Sequence, residues 1–255
     1  MKLDAIVQAR SKYNYPTGHV KNNAGEPIAF DKLDFIGFGS EHLFTTTSEL
    51  DCYHKTLLNS EEIADVHLGI VSVQFWGRCF VRNRNNFNQA KVRARWLLEG
   101  HRRSRKNILE NDLGFKVVQS IRECIANDNW GEAFWAVRDM PHMGVSFGSK
   151  LLAFIAPEKM GVYDSRIARF LSNHCCELSD LCSASFDTNI VLESPRSFRR
   201  ADRDRFKNYS LFLQLTASNL NEQKMHWQEN NNSYSWRAVD VERALFQVAL
   251  SEYNK

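Results

Sequence analysis

Along much of this chain apolar residues return every three or four positions, the spacing that lines one face of an α-helix. In "SEEIADVHLGIVSVQFWG", Ser60 precedes Glu61 and Glu62, as an N-cap with acids in the first turn does. Ile63, Val66, Ile70, Val73 and Phe75 then fall on the inward side, and Gly77 closes the run. "NNFNQAKVRARWLLEGH" predicts a second helix with a basic face that stops at Gly100. "FKVVQSIRECIANDN" predicts a third, with Val117, Val118, Ile121 and Ile125 inward. Two further apolar segments, about 131–140 and 149–156, flank "PHMGVSFG", where Pro141 closes one helix and Gly148 opens the next. Pro157 ends that second helix, and Asp164 stands as N-cap of "DSRIARFLSNH". "FKNYSLFLQLTASNLN" and "RAVDVERALFQVALSEY" complete the series, the latter with Val239, Ala244, Leu245 and Val248 inward.

Strand-like alternation is scarce and no internal repeat occurs. Residues 1–30 are rich in Asn, Gly, Pro and Tyr without a sustained period, and read as an extended arm or irregular subdomain. The pattern thus predicts a mostly α chain, with an irregular N-terminal extension over 1–58 and a helical domain over 59–255.

Charge changes the picture more than composition does. Apolar residues at 43% and charged residues at 25% are ordinary globular values, and the formal net charge is only +3. Yet between Arg78 and Lys106 ten basic residues face a single acid, Glu99. That window carries +9, so the rest of the chain is near −6. Such asymmetry points to a basic face for a polyanion, and a second basic stretch, "SPRSFRRADRDRFKNY", follows later. No apolar run reaches the length of a membrane span, and the N-terminus lacks the apolar core of a signal peptide. With six scattered cysteines, this leads us to expect a cytoplasmic, soluble protein with free thiols.

The stretch "GVSFGSKLLAFIAPEKMGVYDSRIARFL", residues 144–171, concentrates the candidate chemistry. A tight Gly-containing hairpin between two short helices turns backbone N–H groups and a helix N-terminus outward, a combination suited to phosphate oxygens. Gly144, Ser146, Gly148 and Ser149 are the hairpin candidates for gripping a nucleic-acid backbone, with Arg82 and Arg84 from the basic segment. Taken singly, Lys150 reads as a solvated lysine and Asp164 as a helix cap. Together, 14 residues apart across one helix and one loop, they suggest more.

This segment resembles the catalytic core of the helix-hairpin-helix DNA glycosylases, and most closely the compact bacterial members of the 8-oxoguanine glycosylase-like branch. The resemblance rests on Ser149, Lys150, Leu152, Phe154, Pro157, Glu158, Asp164, Ser165, Ala168 and Leu171. It covers residues 130–171, with looser likeness in "FWGRCFVRNRNN" and "WRAVDVERALF". The family hairpin usually reads Gly-x-Gly before the lysine, and here Ser146 replaces the first glycine. The likeness implies a helical glycosylase-like fold with its helix-hairpin-helix at about 131–156, and DNA as the partner of a monomer.

It also implies base excision. A carboxylate such as Asp164 would stabilise the positive charge that develops on the sugar as the glycosidic bond breaks. A neutral Lys150 would attack the sugar carbon and form a Schiff base, permitting strand cleavage, although a water path through Asp164 alone would also suffice. The base must leave the stack, so it needs an apolar slot, for which Phe154 is the candidate wall. The branch implies two substrates: an oxidised purine in repair, or a glucosylated 5-hydroxymethylcytosine in antiphage defence. No organic cofactor is implied, and the hairpin carbonyls could hold a monovalent cation. "HCCELSDLC" lacks paired metal-ligand spacing, so no metal site is expected there. The competing class is a non-catalytic helix-hairpin-helix module that only binds DNA.

Overall fold

A computed structural model describes the chain save for residues 24, 25, 38, 82, 83, 103, 183, 254 and 255, and for the side chains of 80, 81, 84, 85, 175, 176 and 253. The described residues are mostly helical. In chain order they form α1 (Leu3–Lys12), β1 (His19–Lys21), β2 (Asp34–Ile36), α2 (Thr47–Leu58), α3 (Ile63–Cys79), β3 (Phe80–Val81), β4 (Arg84–Asn85), α4 (Phe87–Glu99), α5 (Leu113–Ala126) and α6 (Trp130–Ala136). There follow α7 (Val145–Ile155), α8 (Ser165–Leu178), α9 (Asp202–Glu222), β5 (Trp227–Glu229), β6 (Asn232–Tyr234) and α10 (Ala238–Tyr253). The strands pair only as three antiparallel two-stranded ribbons. None of the described helices is long and apolar enough to cross a membrane.

The chain divides into two compact units. One comprises Met1–Asn14, Cys124–Trp135 and Gly144–Lys255; the other comprises Tyr15–Glu123 and Ala136–Met143. Residues 1–58, read above as one irregular extension, therefore fall in both units, and they contain two regular helices. The second of these, α2, is opened by a capping box in which Thr46 and Glu49 each bond the other's backbone N–H.

In the unit built on residues 15–123, α3 is the central element. Every residue from Val66 to Trp76 is buried, whichever way it faces, because α2, α4 and β1 pack around it. Gly69 lets α2 approach closely, for a Cβ there would lie 2.9 Å from Leu58 Cδ2. One polar knot ties these elements together. Ser72 Oγ accepts from Val20 N at 3.0 Å and meets His54 Nε2 at 2.8 Å. Such pairing meets the demand that buried polar groups be satisfied. Ile63 departs from the predicted inward face, being 40% exposed at the first turn, and α3 continues through Gly77 to Cys79. Here α4 stops where predicted, at Gly100, whose φ of 79° suits glycine.

In the unit containing both chain ends, α10 is the buried centre, contacted by α1, α8 and α9. Residues two apart on a helix point about 200° away from each other, so Asp240 and Glu242 serve opposite sides. Asp240 receives Arg10 of α1 through Nε at 3.2 Å and Nη2 at 3.1 Å. The Arg10 guanidinium also lies 3.5 Å from the Trp227 ring centroid, and both charged side chains are fully buried. The ribbon carrying Trp227 turns at Asn230 and Asn231, both left-handed, as a tight hairpin turn of this kind requires. Toward its N-terminus α10 docks on the loop after α7: Val239 N donates to Pro157 O at 3.0 Å and Ala238 N to Glu158 O at 3.4 Å.

Candidate active site

The segment that holds the candidate chemistry begins one turn earlier than the apolar pattern predicts. Because Gly144 is the N-cap of α7 and Val145 its first residue, Gly148, Ser149 and Lys150 lie inside the helix rather than at its mouth. The amides of Phe147 and Gly148 close on Gly144 O at 3.1 and 2.9 Å. Gly144 is exposed and Ser146 half-exposed at the first turn, but Gly148 and Ser149 are buried. This corrects the expectation that all four hairpin residues face a strand backbone, since Gly148 N–H and Ser149 Oγ are spent internally. Arg82 lies outside the described residues, as does the side chain of Arg84.

Ser149 does something else. Its Oγ accepts from Tyr163 N at 2.8 Å and reaches Tyr163 O at 3.2 Å. That link fastens the middle of α7 to the residue just before α8. Lys150 and Asp164 each stand one residue beyond an end of it, so the backbones that carry these two residues, 14 apart in sequence, are tied near one another. Asp164 is the N-cap of α8, its Oδ1 accepting from Arg166 N at 2.9 Å and Ile167 N at 3.0 Å. Lys150 is only 8% exposed. Its Nζ donates to Ser146 Oγ at 3.0 Å and to Ser146 O at 3.3 Å, one turn back. The Phe147 ring centroid lies 5.1 Å away.

A third ionisable group belongs to this place, and the sequence reading passed over it. Glu242 of α10 is 3% exposed. Burial pushes its carboxyl up to about 8, and the negative charge of Asp164 adds to the rise. Arg243, Lys150 and a backbone hydrogen bond with Val162 pull the other way. Glu242 therefore senses both Lys150 and Asp164. Close packing makes this possible: a Cβ on Gly161 would fall 2.8 Å from Glu242 Cβ and 2.4 Å from Leu213 Cδ1. Two buried tyrosines complete the surround. Tyr209 donates to Val162 O at 2.8 Å, and Tyr163 accepts from Leu192 N at 2.9 Å. Burial raises both phenols, that of Tyr163 to about 12. An acid inside an apolar run, "VDVERALF", is the signal that marks Glu242.

Phe154 is 2% exposed, and its helical neighbours Leu151, Leu152, Ala153 and Ile155 are buried too, so α7 is an internal helix at this level. The second basic stretch is also less available than its sequence implies. Arg199 pairs with Glu193 at 3.2 Å, Arg205 with Glu193 and Asp202 at 3.0 and 3.1 Å, and Arg203 with Glu132. In the first stretch Arg95 pairs with Glu99, its one acid, at 3.2 Å. Gly144 O and Ser146 O accept from internal donors. In "HCCELSDLC", His174 faces Glu252 at 3.2 Å and Cys182 faces Thr216 at 3.3 Å. Among the described residues no group of three or more His, Cys, Asp or Glu side chains could hold a metal ion.

Compared with known proteins, the chain matches no family model, no curated protein and no solved structure.

Proposed function

We propose that this chain is a DNA N-glycosylase of the helix-hairpin-helix kind, with Lys150 and Asp164 as its reacting pair. The observation that supports the reading is the Ser149–Tyr163 link, which joins the stretches of backbone that carry a sheltered amine and a helix-capping carboxylate. A module that merely bound DNA would have no use for that pair. In this reading Asp164 supplies negative charge beside the sugar carbon as the glycosidic bond breaks and the base departs with the bonding electrons. Lys150, once it has given up a proton, forms the new carbon–nitrogen bond at that carbon, and the base takes up a proton as it leaves. Transfer of a further proton from the nitrogen to the ring oxygen, as the ring C–O bond breaks and the nitrogen lone pair forms the C=N bond, yields the protonated Schiff base. The basic surface of α4 and the loop after it would hold phosphates, giving binding that weakens steeply with salt.

Two base classes suit the resemblance, an oxidised purine and a glucosylated 5-hydroxymethylcytosine. The test is incubation of the protein with DNAs carrying each of them, in the presence of borohydride. A covalent protein–DNA adduct that maps to Lys150 and vanishes in Lys150→Gln supports the reading. Abasic sites without an adduct would retain Asp164 chemistry and remove the amine step. Intact DNA that nevertheless binds would favour the non-catalytic module.

A further inference from the structure

The unit built on residues 15–123 carries a feature that the Lys150–Asp164 chemistry does not use, a histidine sealed inside it. His19 opens β1 and is fully buried. Its Nδ1 lies 3.1 Å from Thr17 O. A carbonyl oxygen can only accept, so Nδ1 carries the hydrogen of the neutral ring and Nε2 is left as a bare acceptor. Nε2 is shut off from solvent and meets no hydrogen-bonding partner among the described residues.

Aromatic rings form the seal. Phe44 stacks on the imidazole with centroids 4.1 Å apart, and Tyr53 of α2 stands edge-on at 5.3 Å. Both are fastened to the backbone beside His19. Thr17 Oγ1 donates to Phe44 O at 2.6 Å, and the Tyr53 hydroxyl donates to Val20 O at 2.5 Å. Phe44 and Tyr53 are half-buried, so these two rings stand between His19 and the solvent. Phe44 lies two residues before Thr46, the cap that starts α2.

A proton taken up at Nε2 would add an N–H with no acceptor and a positive charge against two ring faces. The ionisable groups around it come from every neighbouring element: Lys21 of β1, Asp34 of β2, Tyr53 and His54 of α2, and Cys79 of α3. Burial holds the imidazole below its ordinary 6.5; the bond to Thr17 O opposes this, Lys21 adds to the fall, and the exposed Asp34 opposes it. Burial also raises the Tyr53 phenol and pushes the Cys79 thiol up to about 12, so neither supplies a negative charge. His54 Nε2 is engaged with Ser72 Oγ at 2.8 Å.

We propose that His19 is an acid-released latch: its ring takes up a proton only by leaving this chamber, and Phe44 with the backbone of residues 41–45 lifts from β1 as it goes. An open imidazole binds its proton near pH 6.5 and the closed one resists it. Closure is therefore complete above that pH and is lost as pH falls below it. The latch stands apart from Lys150 and Asp164, and holds whether or not a base is ever excised.

The experiment is hydrogen–deuterium exchange of the whole chain, read by mass spectrometry at about pH 7.5 and about pH 5 and expressed as protection factors, which remove the intrinsic pH dependence of exchange. Wild type should lose about tenfold to thirtyfold of its protection over residues 17–20 and 41–46 on acidification, as a group that titrates near 6.5 when open requires. His19→Phe keeps an aromatic stack but has nothing to protonate, and the same segments should change by less than about twofold. His19→Gln, whose amide can still donate to Thr17 O, is a second variant that does not titrate, should His19→Phe fold poorly by circular dichroism. Unchanged protection in wild type, or an equal loss in wild type and the variants, would overturn the latch. So would a loss in wild type spread evenly over the unit, for acid would then unfold it outright.

Discussion

Replacing Glu242 with glutamine separates a charge effect from a packing effect. Glutamine fills the same space and can still accept a hydrogen bond from the Val162 backbone, but it does not titrate. The wild-type carboxyl is pushed from an ordinary 4.5 up to about 8, by burial first and by Asp164 second. Between those values the folded chain keeps a proton that the unfolded chain has released. Stability from this group is therefore complete at acid pH and drains away as pH rises, by about 1.4 kcal/mol per pH unit. From pH 5 to pH 8 the limit is about 4 kcal/mol, and relaxation around a buried charge brings the expectation to about 2–4 kcal/mol. Other groups also titrate in this range, so the informative quantity is the difference between the two proteins. Urea unfolding followed by circular dichroism at pH 5, 6.5 and 8 gives it. The wild type should lose stability relative to Glu242→Gln by that amount across the series, and above pH 8 the two curves should run parallel. Parallel curves from pH 5 upward would mean that the carboxyl is already ionised in the fold, and the reasoning would fail.

Two further changes probe the same place. Asp164→Ala removes the cap from the two amides of Arg166 and Ile167 and should cost about 1 kcal/mol in unfolding measurements; Asp164→Asn, an equally good cap, should cost almost nothing. Gly161→Ala must press a methyl group against Leu213 and Glu242 and should cost about 1–3 kcal/mol, seen as a fall in melting temperature of several degrees.

Long amphipathic elements were legible in the sequence because burial on one side writes a period into it. The inward face of α5, with Val117, Val118, Ile121 and Ile125 all buried, follows directly from that period. The helices α1 and α2 are harder to see. In α1 the buried face is carried partly by an arginine, Arg10, whose charge is satisfied by a residue 230 positions away. A signal for α2 was present, however, in the Thr46–Glu49 spacing of a capping box. Inside α7 the pattern misleads for another reason. Residues 144–150 contain two glycines and two serines, which read as a turn, yet Gly144 alone serves as the cap and burial holds the rest in the helix. Lys150 and Asp164 stood out as a pair on their spacing. Glu242 lies 78 residues further on than Asp164, and only the folded chain brings its carboxyl within their electrostatic reach. Phe154, chosen for its place one turn after Lys150, shows the converse: an internal helix buries every face, so helical spacing alone does not tell a pocket wall from a core side chain.

The most direct test of the central claim is release of a free base from DNA, measured for wild type and Asp164→Asn on duplexes carrying 8-oxoguanine and on phage DNA with glucosylated 5-hydroxymethylcytosine. The account predicts base release from one of these DNAs by the wild type, and none by Asp164→Asn at unchanged stability and DNA affinity. Equal release by the two proteins, or DNA that is bound by the wild type and left whole, would contradict it.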